Sequence, residues 1–374
     1  MTANTGMSNV AVRIENRKKL TSLLYKEGGL TKQDLAVKLQ LSLPTINLLV
    51  QQLEEENLIF YQSSEQSSGG RIPNLVCFKY DAYVSVGIEI SQMHNRIIIM
   101  NMKCAILDQF YSFCCFEDNP DYWKNLSGRV QELLKKNKIA RKRMLGIGIA
   151  FPGPVRQEEK KVSSWLLDLE DYSYAGFEEI FGYPVVVEND ANSAGFAEIW
   201  LREDVHNAAY LSVSKGVGGA LINDRIVRHG QNNCCGEFGH LMIVPNGRKC
   251  LCGRKGCLDA YCSTSVLNQL GEGNISTFFK KKEASEELKK AWNEYLDYLA
   301  IGISNIALSL DMPVIIGGEI TPYLVDNFEA LREKVAEIDP FKRTAAMCSL
   351  SKLSENGAAI GAALFIVTDF LDIL

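Results

Sequence analysis

One histidine and three cysteines are crowded into a short, glycine-rich segment, and no other feature constrains the fold of this chain as strongly. These residues are His240, Cys250, Cys252 and Cys257. Imidazole and thiolate are the ligands that Zn²⁺ prefers, and four of them complete a tetrahedral structural site. Nearby glycines let the segment fold back on itself, namely Gly247, Gly253 and Gly256. The spacing predicts a closed zinc site, and the alternative is a loop with scattered free cysteines.

The composition is that of an ordinary globular protein. The chain has 374 residues, 47% hydrophobic and 23% charged, enough for roughly two or three domains with buried cores. No apolar run approaches the length of a membrane span, and the N-terminus lacks the apolar core of a signal peptide. Eleven cysteines in such a chain indicate reduced thiols rather than a disulfide framework. We therefore expect a cytoplasmic protein that does not interact with membranes.

Residues 13–56 are predicted to form three helices. Thr31 and Asp34 have the spacing of a capping box at the start of the second helix. Ser42 is placed to cap the third helix, and Pro44 lies in its first turn, where its missing N–H costs nothing. A helix, a short turn and a second helix of this length are typical of a helix-turn-helix.

A β-wing is predicted directly after these helices. Strands over 57–62 and 74–79 flank a tip of serines and glycines that ends at Arg71, which is placed to enter a minor groove. Residues 1–80 carry a net charge of +2 and the remainder −7, which fits a nucleic-acid-binding head. The acidic residues 54–56 must then point away from phosphate. The candidate DNA contacts are Lys32, Ser42, Pro44, Thr45, Asn47, Gln51 and Arg71. A small helical domain that binds protein is the alternative.

From residue 82 onward, apolar strands alternate with helices. The pattern predicts a three-strand meander over 83–110, a helix at 120–136 and an almost entirely apolar strand at 144–151, as in a sheet covered on both faces. Long helices are predicted at 283–310 and 323–338. Two α/β units of this kind in series indicate a two-lobed body with a cleft between the lobes.

Three segments carry a resemblance to a known family. They are Phe151-Pro152-Gly153-Pro154-Val155, Glu188-Asn189-Asp190-Ala191-Asn192, and the metal segment from Gly236 to Asp259. Over nearly its whole length, the chain resembles the ROK family of repressors, open reading frames and sugar kinases. The winged head followed by Gly69-Gly70-Arg71-Ile72-Pro73 is similar to the DNA-binding members, such as the xylose and N-acetylglucosamine repressors.

The resemblance implies the α/β actin-like ATPase fold for the body. It divides the chain into a winged helix-turn-helix domain at 1–80, a first lobe at 81–188 plus 358–374, and a second lobe with the zinc loop at 189–357. It also implies that the sugar-binding residues are Gly153, Asn189, Asp190, Glu237, His240 and Asp259.

Two residues of the implied sugar site, Asp259 and Asp190, each have an alternative interpretation. The family usually has Glu where this chain has Asp259, so the shorter side chain loses a contact or selects a different sugar. Asp190, taken alone, is as well explained as a helix N-cap. His240 can place one ring nitrogen on zinc and the other on the sugar, in which case the metal orients the ligand without performing chemistry.

The first phosphate-binding turn of the family is altered. Sugar kinases of this fold carry Asp-x-Gly-Gly-Thr-Lys there, and the glycines admit phosphate close to the backbone. This chain has Glu-Ile-Ser-Gln-Met-His at 89–94. We therefore predict that nucleotide binding is lost. Asp190, which matches the family's catalytic base, then only binds a sugar hydroxyl, and the chain has no catalytic residue.

Three hypotheses remain from the sequence. The favoured one is a sugar-responsive repressor, a homodimer or tetramer that binds double-stranded operator DNA and takes a sugar or sugar phosphate as effector. The second is an ATP-dependent hexose or aminosugar kinase with an appended head. The third is a zinc-stabilised scaffold with neither activity.

Overall fold

The computed structural model describes residues 9–63, 74–202, 204–353 and 355–371. The chain begins with a head of three helices and a two-stranded antiparallel sheet. Its elements are α1 (Asn9–Glu27), α2 (Lys32–Leu39), α3 (Leu43–Glu55), β1 (Ile59–Ser63) and β2 (Asn74–Phe78). The predicted helices and wing strands are confirmed. The wing tip, which contains Arg71, lies outside the described residues.

Local sequence signals set the ends of the head helices. The Thr31 hydroxyl accepts a hydrogen bond from the Asp34 N–H, and the Asp34 carboxylate accepts one from the Thr31 N–H, both at 3.1 Å. This reciprocal pair is the predicted capping box. Ser42 caps α3, with its Oγ accepting from the Thr45 N–H at 3.4 Å. The helix-turn-helix therefore begins and ends where short-range hydrogen bonding dictates.

The first half of the body is built on a five-stranded sheet of order β10-β6-β3-β4-β5. Its elements are β3 (Val84–Ile90), β4 (His94–Asn101), β5 (Ile106–Phe113), α4 (Pro120–Lys136), β6 (Met144–Phe151), β7 (Val155–Arg156), β8 (Lys161–Ser164), β9 (Leu169–Ser173), α5 (Phe177–Phe181), β10 (Val185–Asn189) and α6 (Asp190–Trp200). Strands β3, β4 and β5 form an antiparallel meander, and β6 and β10 add to it in parallel. A small separate sheet has the order β7-β8-β9.

The second half is built on a sheet of order β13-β12-β11-β14-β15. Its elements are β11 (Ala208–Val213), β12 (Val217–Asn223), β13 (Ile226–Val227), α7 (Asp259–Cys262), α8 (Thr264–Leu270), α9 (Ile275–Lys282), α10 (Glu286–Leu310), β14 (Val314–Gly317), α11 (Thr321–Leu324), α12 (Phe328–Ile338), α13 (Thr344–Met347), β15 (Cys348–Leu350) and α14 (Gly357–Leu371). No helix among the described residues is long and apolar enough to cross a membrane.

The two large sheets share one plan, which confirms the predicted doubling of the α/β unit. Each is a three-strand antiparallel meander extended by two parallel strands. Helix α14 packs on β3 and β6 of the first sheet, α6 packs on β11 and β12 of the second, and the two helices pack on each other. A Cβ atom on Gly361 would lie only 1.8 Å from the Ser193 carbonyl oxygen. The helices therefore require glycine at this crossing.

One predicted helix is wrong. The helix expected at 323–338 is interrupted by a 3₁₀ turn at Val325–Asn327, between α11 and α12. The Trp292 Nε1–H donates to the side-chain oxygen of Asn327 at 3.1 Å, and the Asn327 amide donates to the Tyr323 carbonyl at 3.2 Å. The second bond competes with the regular backbone ladder, because in a continuous helix the Tyr323 carbonyl accepts from the Asn327 N–H.

The head is packed against the body through a shared apolar core. Leu20 and Leu24 of α1 are fully buried in a cluster that also contains side chains of α6 and α14. The ring of Tyr25 in α1 lies 5.8 Å from that of Trp200, the last residue of α6, between centroids. The Tyr25 hydroxyl donates to the Met102 carbonyl at 2.5 Å. Helix α6 therefore runs from the end of β10 to the surface of the head.

Candidate functional site

The histidine and the three cysteines converge, as their spacing predicts. The ligand atoms of His240, Cys250, Cys252 and Cys257 all lie within 4.8 Å of one another. The sulfurs of Cys252 and Cys257 are 3.8 Å apart, and the Cys250 sulfur is 3.7 Å from His240 Nδ1. Two thiolates on one tetrahedral zinc, with bonds of about 2.3 Å, lie about 3.8 Å apart. The four side chains therefore fit a tetrahedral metal site in which all four ligands come from the protein.

Backbone turns hold this cluster in place. Cys257 is fully buried and pairs with Met242 through an isolated antiparallel bridge. Gly256 has a φ of +83°, and a Cβ atom there would lie 1.8 Å from the Val244 carbonyl oxygen. Only glycine fits that turn, because both the dihedral and the close approach exclude a side chain. Burial lowers the pKa of His240, which keeps its imidazole in the neutral form that binds metals.

Asn189 and Asp190 lie at the junction of β10 and α6. Asn189 is the N-cap of α6, since its side-chain oxygen accepts from the Asn192 N–H at 2.9 Å. The Asn189 amide donates to the Gly153 carbonyl at 3.1 Å and to Asp190 Oδ1 at 3.2 Å. The capping role considered for Asp190 thus belongs to its neighbour. Both bonds that Asp190 accepts, from the Asn189 amide and from the Ala191 N–H, go to Oδ1, and no described residue donates to Oδ2.

Gly153 lies close to both Asn189 and β8, and its backbone conformation allows this close approach. Its φ is +114°, and a Cβ atom there would lie 2.2 Å from the Ser163 carbonyl oxygen in β8. The proline-glycine loop therefore lies directly against β8, with its carbonyl held by Asn189.

Acidic side chains surround Asp190. Burial is the main cause that raises the pKa of Asp190 to about 7, and the charges of Glu89 and Glu237 contribute to the same shift. Burial also raises the pKa of Glu237. Glu237 and His240 are half-buried, and Glu237 Oε2 is 3.9 Å from His240 Nε2. His240 therefore directs Nδ1 to the sulfurs and Nε2 toward Glu237. We call the region around Asp190, Glu237 and His240 the acidic cleft.

Asp259 is placed differently from the other sugar-site candidates. It is only 9% exposed, and its Oδ1 accepts from the Val217 N–H at 2.7 Å. Its Oδ2 lies 3.6 Å from the Cys250 sulfur. The carboxylate thus ties the metal segment to β12, and its predicted contact with a sugar remains a prediction.

The structure reveals a network that the sequence reasoning missed. Glu188, buried in β10, accepts from His229 Nε2 at 2.7 Å and from the Gln157 amide at 3.1 Å. Its other oxygen accepts from the Asn192 amide at 3.0 Å. His229 follows β13 of the second sheet, so this bond connects the two halves beside the cleft, and it raises the pKa of His229. The signal available in the sequence was a lone acid in an apolar strand directly before Asn189.

Charged side chains flank the turn between β3 and β4, where the sequence predicts the loss of a phosphate-binding loop. Glu89 Oε2 lies 3.4 Å from Arg96 Nη1, and Glu89 Oε1 lies 3.8 Å from His94 Nε2. Arg96 also forms an ion pair with Glu355 at 2.9 Å. The Ser91 N–H donates to the His94 carbonyl, which closes the turn between β3 and β4.

The head presents most of the predicted DNA contacts to solvent. Ser42, Pro44, Asn47 and Gln51 are exposed, and Lys32 and Thr45 are half-buried. Positions 44, 47 and 51 recur at three- and four-residue intervals and so share one face of α3. The neighbouring acids are each engaged within the head: Glu54 by Tyr61, Glu55 by Gln51 and Glu56 by Arg17.

The raised pKa of Asp190 gives a testable pH dependence. Between about pH 4 and pH 7 the folded chain holds a proton there that the unfolded chain releases, so its contribution to stability falls as pH rises through this window. Asp190→Asn is expected to be more stable than the parent by about 2 kcal/mol near pH 8, and equally stable near pH 4. Thermal unfolding across this range measures the difference. Asp326→Asn, at an exposed carboxylate, should show no such trend, and a pH-independent effect of Asp190→Asn would contradict the assignment.

Comparison with known proteins agrees with this architecture. The sequence matches the ROK family model over residues 85–369 and a winged helix-turn-helix DNA-binding model over residues 15–59. The xylose repressor of Bacillus spizizenii is 28% identical over 97% of each chain. The N-acetylglucosamine repressor of Escherichia coli O157:H7 is 22% identical over 80% of this chain and 79% of its own.

Solved structures show the same fold. A ROK family transcriptional regulator, described as a homolog of the E. coli MLC protein, superposes with a TM-score of 0.81 at 20% identity, over 97% of this chain and 98% of its own. A ROK hexokinase from Thermus thermophilus superposes with a TM-score of 0.64 at 23% identity, over 77% of this chain and 99% of its own. The family model spans most of the sequence, and the chain therefore belongs to the ROK family, with a winged helix-turn-helix DNA-binding domain at its N-terminus.

Proposed function

We propose that this protein is a sugar-responsive transcriptional repressor of carbohydrate-utilisation genes, which acts in the cytoplasm on double-stranded operator DNA as a homodimer or tetramer. The single observation that carries the proposal is that α6 joins the two functional parts. Its first residue is Asp190 in the acidic cleft, and its last residue, Trp200, contacts Tyr25 of the head. The relatives named as xylose and N-acetylglucosamine repressors support the same role.

The sugar is assigned to the cleft beside α6. A sugar presents many hydroxyls, so its site needs several fixed polar groups that can donate and accept. Asp190, Glu237 and His240 supply such groups, and Asn189 and Gly153 hold the backbone that positions Asp190. Asp259 positions β12 in this assignment, and it contacts the sugar only if the Val217 bond is given up.

The metal is assigned as one structural Zn²⁺ per chain. One nitrogen and three sulfurs match the ligands zinc prefers, and four protein ligands leave no open position for a substrate. When bound, the ion fixes the segment that carries Glu237 and His240. The protein groups themselves then orient the sugar, through His240 Nε2 on one side and Asp190 on the other.

Signal transfer requires that the sugar bind one arrangement of the two lobes better than the other. We take the lobes as 81–188 plus 358–374 and 189–357, and the head as 1–80. Gly153 belongs to the first lobe, and Asp190 and Glu237 belong to the second, so a sugar that contacts all three favours closure. Movement of α6 would then reach α1 through the Trp200–Tyr25 contact and change the spacing of the two heads in an oligomer.

A role without catalysis is supported by the turn at Ser91–Met93. Glu89, which stands where the family kinases hold magnesium with an aspartate, is instead paired with Arg96 and His94. A polyphosphate would have to break these pairs and displace the side chains of the turn. We therefore assign no catalytic residue.

The test is a DNA-binding measurement on the full chain. Binding sites are selected from a random DNA library, and the dissociation constant of a selected site is measured by fluorescence anisotropy, with and without D-xylose, D-glucose or N-acetyl-D-glucosamine. One sugar is expected to weaken operator binding by about tenfold or more. A chain that binds no DNA sequence specifically, under any of these conditions, would refute the proposal.

The Glu237→Ala variant distinguishes a sugar-responsive repressor from a sugar kinase and from a scaffold without ligand. This side chain is half-buried, and among the described residues it forms no polar contact shorter than its 3.9 Å approach to His240, so the variant should fold and bind operator normally. It is expected to lose both the sugar-induced rise in melting temperature and the sugar effect on DNA. A kinase would instead release ADP in a sugar-dependent manner, and a scaffold would show no sugar-induced thermal shift in the parent chain.

A further inference from the structure

Trp165 is the most exposed tryptophan side chain within the described residues. It is 61% exposed, whereas Trp123 and Trp292 are only 2% and 4% exposed, and Trp200 is half-buried. A single exposed aromatic residue needs no explanation by itself. The position of Trp165 does need an explanation, because its ring contacts His240 at the acidic cleft.

The backbone on both sides of Trp165 is fixed. Ser164, at the end of β8, is 3% exposed, and its hydroxyl accepts from the N–H of the buried Leu167 at 3.2 Å. The preceding residue, Ser163, has its carbonyl pressed against Gly153. The backbone that carries Trp165 therefore lies against the proline-glycine loop, and Asn189 bonds to that same loop.

The indole reaches across the cleft to the metal segment. Its ring centroid lies 5.0 Å from that of His240, with the ring planes at 84°. Trp165 belongs to the first half of the body and His240 to the second. Edge-to-face contact of this kind is a favourable aromatic geometry. It leaves most of the indole surface open beside the groups assigned to the sugar.

We propose that Trp165 is the stacking wall of the effector site, against which a neutral pyranose places its face of C–H groups while Asp190, Glu237 and His240 bind its hydroxyls. This inference rests on the proposed sugar-binding function and narrows its ligand class. Ligand pockets commonly combine an aromatic wall with a few directed polar groups. The negative face of an indole attracts the weakly positive C–H face of a sugar ring.

The charge of the cleft selects against a phosphorylated effector. The carboxylates of Glu89 and Glu237 lie close enough to Asp190 for their charges to act on it, and Glu237 also approaches His240 to 3.9 Å. A phosphate dianion placed among them would add to this repulsion, whereas a neutral ring would not. The stacking wall and the acids together therefore favour a free pyranose over a sugar phosphate and over an open-chain polyol.

Tryptophan fluorescence tests this assignment directly. The emission of the full-length protein is recorded during titration with D-xylose, D-glucose, N-acetyl-D-glucosamine, D-glucose 6-phosphate and D-sorbitol, and calorimetry measures binding independently. A neutral pyranose is expected to shift the emission to shorter wavelength as it covers Trp165. Trp165→Phe should keep binding within a few-fold but lose the emission change, and Trp165→Ala should weaken binding by about tenfold. Trp200→Phe is the matched control and should keep the emission change.

The possible outcomes distinguish a failure of the stacking role of Trp165 from a failure of the sugar-responsive function. If none of the sugars binds the parent chain by calorimetry, the sugar-responsive function itself fails. If a sugar binds while the parent emission stays constant and Trp165→Ala binds equally tightly, the stacking role is overturned and the sugar function stands. Tighter binding of D-glucose 6-phosphate than of D-glucose would overturn the choice of a neutral ligand. Equal melting temperatures of parent and Trp165→Ala without sugar establish that the variant is folded.

Discussion

Cys257→Ser is expected to lose the metal and, with it, the sugar response. Cys257 is fully buried with its sulfur 3.8 Å from that of Cys252, and a serine hydroxyl is a poor substitute for a thiolate on zinc. Because metal binding also stabilises the folded segment, we expect a loss of about 3 kcal/mol of stability. The segment carries Glu237 and His240, so the sugar-induced thermal shift should disappear as well.

Elemental analysis of purified protein and thermal unfolding measure these effects. The parent chain is expected to contain one zinc ion per chain and the variant almost none. Cys348→Ser is the matched control, because Cys348 is also buried but lies outside the cluster. It should lose some stability and keep the metal. A Cys257→Ser protein that retains a full equivalent of zinc would contradict the assigned ligand set.

Glu198→Ala is expected to cause the largest loss of stability. Glu198 in α6 is 1% exposed, and its carboxylate accepts from Arg202 Nε and from the Ser351 hydroxyl, both at 2.6 Å. It also accepts from the N–H groups of Lys352 and Leu353. Removal leaves the poorly exposed guanidinium of Arg202 without its ionic partner and the Lys352 N–H without its acceptor, at a cost of about 3–5 kcal/mol.

Urea unfolding at constant pH measures this loss. Glu198→Gln keeps one acceptor oxygen and should lose about half as much stability. Glu294→Ala, at an exposed position of α10, should change stability by less than about 0.5 kcal/mol. A Glu198→Ala protein within about 1 kcal/mol of the parent would show that the network does not hold the segment before α14.

Much of the fold could be predicted because its signals are local. The capping box of Thr31 and Asp34, the apolar strand at 144–151 and the helix at 120–136 all depend on residues within one or two turns of each other. The broken helix at 323–338 shows the limit of such signals. Its periodicity is helical, but Trp292, from another helix, donates to Asn327 and changes the local hydrogen bonding.

The metal ligands were the most predictable part of the candidate site, since four ligand-type residues in one short segment have few other ways to satisfy their chemistry. The network of Glu188 and His229 could not be foreseen in the same way. These residues are 41 positions apart, and although Glu188 belongs to a recognised segment, His229 belongs to no motif that would identify it as the partner. The same holds for Trp165, whose only sequence signal is that it is aromatic.

The sequence alone determined the helix caps, the strand pattern, the doubled α/β plan and the set of residues able to hold a metal. Each of these follows from side-chain chemistry and spacing over short distances along the chain. Only the tertiary structure decided which side chains that are distant in the sequence meet. Trp165 meets His240, and Glu198 meets Ser351, because packing of α6 against α14 sets the relative position of the two sheets. That relative position depends on the shape of a buried interface, which no short stretch of sequence encodes.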